Sequence, residues 1–370
     1  MTKTKRHIIV HKQQTALRPL MLFYALLCLF VSVGSAQVIS TSGSVSINNT
    51  SGTVIGTTAI ETNAGADVTN NGTINLSGDW TNGGTYTSAS GTVEYLGAGA
   101  QSVAGLNYHH LLLSTSGTKT LAASTAVAGD LTLSGTAAVI DNGFQITGNG
   151  SGTMSMAAGN TLTLGSAGTA TFFPTNFTNG NITLTAGSTV IYNSDQSQTV
   201  SGTPTYSHLT LTATSAVTKT VDAALTVNGD LTVNANNTLN DGGFQITGNA
   251  GGTLTLAAGT TLTLGTAGSA TVFPTTFITA NISLNASSTV VYNSDLAQAI
   301  SVVPVYGNLT LTATSSVTKT INSAATVATD LTVGTNNTLT ITGVGSVQIN
   351  TGNLILNGTL NNSGTIDIGL

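Results

Sequence analysis

Short runs alternate apolar and polar residues with a period of two: Leu131-Thr132-Leu133, Thr161-Leu162-Thr163-Leu164, Leu209-Thr210-Leu211-Thr212, Thr261-Leu262-Thr263-Leu264 and Leu354-Ile355-Leu356. In an extended chain this spacing sends Leu to one face and Thr to the other, so each run predicts a half-buried β-strand. Between the runs lie Gly- and Asn-rich breaks such as Asn71-Gly72, Asn82-Gly83-Gly84, Asn142-Gly143 and Asn357-Gly358. These residues accept the positive φ of a tight corner. Beyond residue 36 no useful length of sequence has helical periodicity, so the pattern predicts an all-β chain.

The strands belong to a longer repeat. Asp141–Leu184 returns as Asp241–Leu284 with 29 of 44 positions identical. Thr92-Val93-Glu94-Tyr95 followed by Gln101 recurs as Thr189–Tyr192 with Gln198 and as Thr289–Tyr292 with Gln298. Lys119, Lys219 and Lys319 each stand in a Thr-Lys-Thr phrase. Three related units of about 100 residues therefore occupy 91–370, the third divergent, with further β-rich coils over 37–90.

Two architectures suit such a chain. One is an array of β-sandwich repeats. The other is a β-solenoid, as a right-handed parallel β-helix, in which stacked coils share one continuous core. Very short strands, the lack of any linker between units and the scarcity of charge favour the solenoid. Coils of roughly 20 residues would then make a unit about five coils long. On this reading Leu, Ile, Val and Ala point inward, Met154 and Met156 fill interior gaps, and Thr, Ser and Asn form a neutral outer face on which Asn can ladder.

The first 36 residues read differently. Lys3, Lys5, Arg6, Lys12 and Arg18 precede an apolar run, Leu20–Val33, and the small residues Gly34-Ser35-Ala36. That order describes a secretory signal peptide over 1–36, cleaved before Gln37. The run is shorter than the ~20 residues that span a bilayer, so no membrane span is expected after cleavage. Leu26 and Leu27 before Cys28 make no lipidation box. Removing the segment leaves three lysines and no arginine against all 13 acids, a formal net charge of −10, and no cysteine. Nucleic acid is excluded as a partner, because its affinity comes from Lys and Arg on phosphates. Charged residues are 6% of the whole chain, against about 25% in ordinary domains.

Gly91-Thr92-Val93-x-Tyr95, Gln101-x-Val103, Tyr108-x-x-Leu111 and Gly117-Thr118-Lys119-Thr120-Leu121 resemble the β-strand repeats of large secreted surface proteins of Bacteroidetes-type bacteria. More loosely, the texture is similar to the β-helical shafts of filamentous haemagglutinin-like adhesins. The resemblance spans roughly residues 65–370. It implies export through a dedicated secretion machinery, an extracellular or outer cell-surface location, and an adhesive role with glycans or cell surfaces as partners. Such proteins often carry a C-terminal sorting domain or anchor; neither pattern precedes Leu370, which reads as a truncated third unit.

No residue constellation points to catalysis, a cofactor or a metal. Asp130, Asp230 and Asp330 recur before Leu-Thr, several coils apart, and lack the Gly-Gly-x-Gly-x-Asp calcium repeat, so they read as turn or strand-start residues. Asp195 and Asp295 read the same way. His110 and His208 correspond to Asn308 in the third unit, which marks the position as structural, and His109 has no counterpart. Trp80, with Tyr86 and Tyr95, reads as a buried aromatic in preference to a sugar platform. The expected function is a non-catalytic structural or adhesive repeat protein. One alternative is a β-helical carbohydrate-active enzyme, a lyase or hydrolase. Another is a binder of ice or a hydrated glycan surface, which requires Thr pairs aligned on adjacent coils of one flat face.

Overall fold

The structure, a computed structural model, describes residues 38–41 and 45–369. The expected signal peptide and its cleavage before Gln37 lie outside the described residues. Within them are 44 strands and two single turns of 3-10 helix, Asn179–Asn181 and Thr279–Asn281. The strands are two to five residues long, and all strand pairs are parallel. They form a β-solenoid of about 16 turns, not an array of sandwiches.

Three faces build each coil. In the first coil these are Val38–Thr41, Ser46–Asn49 and Val54–Thr57; the next coil lays Ala59–Thr62, Asp67–Asn70 and Thr73–Leu76 over them in register. Sheets of 3, 9 and 4 strands follow one another along the first face, 3, 3 and 8 along the second, and 7, 3 and 4 along the third. Alternation does the sorting. In Thr161–Leu164 the two Leu are buried and the two Thr half-exposed. Inward rows stack rung upon rung: Val139, Leu162, Val190, Leu209, Leu231 and Leu254 are successive partners on the first face, all fully buried. Met154 and Met156 stand in such rows, between Leu131 and Leu133 on one side and Ile182 and Leu184 on the other. Trp80 is buried and meets Tyr86 edge to face at 5.0 Å.

Two expectations need correction. Coils are uneven: a short one carries Gln101 to its partner Lys119, and a much longer one carries Leu162 to Val190. The longer coil holds the excursion through Phe173-Pro174-Thr175, where Thr175 makes only a single bridge to Thr147. A unit is therefore not five coils. From Val93 four steps on the third face lead through Leu111, Leu131 and Met154 to Ile182. The next strand, Thr189–Tyr192, is the counterpart of Thr92–Tyr95, yet it lies on the first face beside Thr161–Leu164. Four coils and one extra face make a unit. The step repeats, and Thr289–Tyr292 falls on the second face beside Thr261–Leu264. The second correction concerns Asn. The clearest ladder, Asn49 Nδ2 to Asn70 Oδ1 at 2.7 Å, is buried inside the stack and not on the outer face.

Close stacking also sets glycine positions. A Cβ on Gly252 would lie 2.0 Å from the Gly229 carbonyl oxygen of the coil below, and Gly152 faces Gly129 in the same way. Gly150 has no heavy atom within 4 Å of such a Cβ, and Ala250 occupies its place in the next unit. We predict that Gly252→Ala forces the coils apart and lowers stability in urea denaturation by about 1–3 kcal/mol, the range for overpacking. Gly150→Ala should stay within about 0.5 kcal/mol of the parent.

Candidate functional surface

The interior holds more polar chemistry than its composition suggests. Lys119, Lys219 and Lys319 are each 0% exposed. The alternation requires this, since Leu121, Val221 and Ile321 two residues on also point inward. Each lysine sits one coil beyond the repeated glutamine. Lys219 Nζ donates to the Ser194 carbonyl at 2.8 Å and to Gln198 Oε1 at 3.1 Å; Lys319 repeats this with Ser294 at 2.6 Å and Gln298 at 2.7 Å. Lys119 departs from the pattern and donates to the Gly97 and Ser116 carbonyls. Gln198 uses its whole amide: Nε2 donates to the Leu164 and Thr171 carbonyls at 3.1 and 2.9 Å, while Oε1 also accepts the Ser194 N–H at 3.3 Å. A tyrosine pair accompanies each cluster, with hydroxyls 3.0 Å apart in Tyr95–Tyr108 and 2.9 Å apart in Tyr192–Tyr206 and Tyr292–Tyr306.

Charge inside this core is held by dipoles. Burial lowers Lys219 and Lys319 to about 8, offset in part by Asp195 and Asp295 nearby. Asp141 is buried as well. It accepts the N–H groups of Gly143 and Gly165 at 2.9 and 2.7 Å and the Thr171 hydroxyl, and burial still pushes its carboxyl up. Asp241 does the same with Gly243, Gly265 and Thr271. These groups are walled off from any substrate.

The recurring exposed aspartates are tied to the coil above or below. Asp130 Oδ1 accepts the N–H and hydroxyl of Thr153 at 2.9 and 2.7 Å; these bonds hold its carboxyl low. Its own N–H donates to His110 Nδ1 at 3.0 Å. His208, Asp230 and Thr253 repeat the arrangement. In the third unit Asn308 Oδ1 accepts the Asp330 N–H at 3.3 Å, so the amide oxygen replaces the imidazole nitrogen. His110 and Asp130 are thus neighbours in space. Nothing local in the sequence joins them, because a whole coil of chain separates the two. Asp195 accepts the Thr214 N–H at 2.6 Å and its hydroxyl, and Asp295 does the same with Thr314. Among the described residues no group of three or more His, Cys, Asp or Glu is placed to hold a metal. No described helix is long and apolar enough to cross a membrane.

What the outer surface does present is regular. On the second face Thr218, Thr238, Thr261, Thr289 and Asn308 are successive partners in one outward column. Thr220, Asn240, Thr263, Val291, Thr310 and Thr332 form the column beside it. The first face carries Thr118, Ala138, Thr161, Thr189 and His208, the third Thr318, Thr338 and Thr359. Column neighbours repeat every ~4.7–4.9 Å along the axis, and the two columns lie ~6.6–6.8 Å apart, twice the strand rise. A groove of about 490 Å³ runs beside Thr218 and Thr238, with Asp195 its one carboxylate. No family model matches the chain, and no curated protein or solved structure matches it either.

The buried lysines make a pH prediction. In the folded chain Lys219 and Lys319 titrate near 8, against the usual 10.5. Between those values the unfolded chain binds more protons, so stability rises with pH across that window. Above about 10 the trend reverses, because burial raises the tyrosines and only the unfolded chain ionises them. The urea midpoint should climb from pH 7.5 to about 9.5 and fall beyond 10.5. Lys219→Met and Lys319→Met together should flatten the climb.

Proposed function

We propose that this chain is an exported, non-catalytic shaft of the cell surface or extracellular space, structural and adhesive in role. The observation that carries the reading is the alignment of neutral outward residues into two-column arrays, repeated on three faces. The second-face array is a grid of hydroxyl, amide and methyl groups without charge. One such contact adds little, since a hydrogen bond to protein replaces one to water, with a net gain of roughly 0.5–1.5 kcal/mol. Many acting together through one rigid body give useful avidity.

The placement of the reactive groups supports the same reading over an enzyme. The lysines and Asp141 and Asp241 are buried, and the recurring exposed aspartates are committed to backbone and hydroxyl donors. Two cavities in the outer surface each hold a single carboxylate, Asp195 in one and Asp222 in the other. A glycosidase mechanism needs a converging pair. The Thr alignment gives a second reading weight as well: a grid of this spacing suits an ordered hydrated surface such as ice.

A binding panel with glycan-coated, bacterial and ice surfaces tests these readings on the exported chain. Replacing Thr218, Thr238, Thr261 and Thr289 by tyrosine roughens one face. Binding to the target surface should fall at least tenfold, while Asp130→Asn, Asp230→Asn and Asp330→Asn leave it unchanged. Ice-crystal shaping by the parent chain would select the second reading. Release of reducing ends or unsaturated sugars from any polysaccharide, abolished by one acidic substitution, would replace both with the enzyme.

A further inference from the structure

The excursion at Phe173-Pro174-Thr175 builds a cup of about 210 Å³ where the first unit meets the second. Its floor is Phe173 and Phe177, both buried. Phe173 packs edge to face on Tyr206 at 6.1 Å, and Phe177 lies over Gly148, where a Cβ would meet the ring at 2.4 Å. One wall is Phe172, 54% exposed, its N–H donating to Gln145 Oε1 at 3.0 Å. Thr199, Thr203 and Asp222 also line the cup. Asp222 Oδ1 accepts the Gly202 N–H at 2.8 Å, which fixes the carboxylate and leaves Oδ2 without a protein partner.

We infer that this cup binds one pyranose ring of a neutral sugar, with the ring's C–H face on Phe172 and its hydroxyls on Asp222 Oδ2 and the threonine hydroxyls. An exposed aromatic face carries partial negative charge and attracts the polarised C–H groups of a sugar. A few convergent polar groups beside apolar walls are the usual make-up of a small-molecule site. Acidic sugars are disfavoured: the cup holds a carboxylate, and every lysine among the described residues is buried, with no arginine there.

The next unit supplies an internal comparison. Phe273, Phe277 and Gly248 keep the floor, with the ring again against the glycine. The exposed aromatic wall and the polar lining do not persist: Val272, Ala299, Val303 and Asn322 stand where Phe172, Thr199, Thr203 and Asp222 do. The floor belongs to the fold, and the sugar-directed groups belong to one copy. The inference gives the adhesive reading a partner class and rests on it.

Saturation-transfer NMR and calorimetry on the full exported chain test it, with the methyl glycosides of glucose, mannose, galactose and N-acetylglucosamine, and with galacturonate. At least one neutral glycoside should bind, with Kd about millimolar or tighter, and galacturonate should not. Phe172→Val and Asp222→Asn, each copying the other cup, should weaken binding tenfold or more. Both positions are exposed, so melting curves should match the parent and exclude misfolding. Absence of binding by every neutral glycoside, binding unchanged in both variants, or equal binding of galacturonate would overturn the proposal. The same variants on the surface panel separate the two ideas. Surface adhesion that persists without sugar binding sinks the cup alone; sugar binding without surface adhesion sinks the shaft.

Discussion

Parallel coils can join only through backbone hydrogen bonds that run along the axis, and each coil must offer its neighbours the same rows in the same register. A strand of three residues makes too few such bonds to stand alone. It is held because the coil below and the coil above satisfy it from both sides, through contacts a full coil away along the chain. Leu162 illustrates the point: its partners in the ladder are Val139 and Val190, each a full coil away along the chain. The alternation of Leu and Thr, the glycines at Gly152 and Gly252 and the cost of any polar residue in an inward row all follow from that stacking.

The inward polar clusters are where the stack meets this constraint at its corners. A corner leaves carbonyl groups outside the ladder, such as those of Thr171 and Ser194. Gln198 and Lys219 reach them from successive coils. A buried cation without a carboxylate partner is costly, and the depressed lysine titration is the sign of that cost. Removing the lysine would in turn strand the carbonyls. The repeated Gln and Lys are therefore understood as corner pieces of the wall, and the buried Asp141 and Asp241 as their counterparts for unpaired N–H groups.

Much of this was legible in the sequence, though unevenly. Strand type, face and repeat followed from the Leu-Thr alternation and the recurring phrases, because period and self-similarity are local or directly comparable. The interior place of Lys119 was implied by the phase of Leu121, yet its partner at Gly97 lies a coil away, where local pattern gives no warning. The coil count failed for a similar reason. The residues around Phe173 lengthen one turn without adding a full strand, so counting residues overestimates the turns in a unit. The outward Thr pairs were visible one by one; their alignment depended on register, which only the stacked structure fixes.

The extra face in each unit has a geometric consequence. Four coils and a third of another mean that duplication of a unit turns the new copy by one side of the prism as well as advancing it. Three successive units bring the Thr92, Thr189 and Thr289 strands to the third, first and second sides in turn. A rod built this way has no underside: rolled on a flat substrate, it meets the same lattice after each third of a revolution, at a different height along its length.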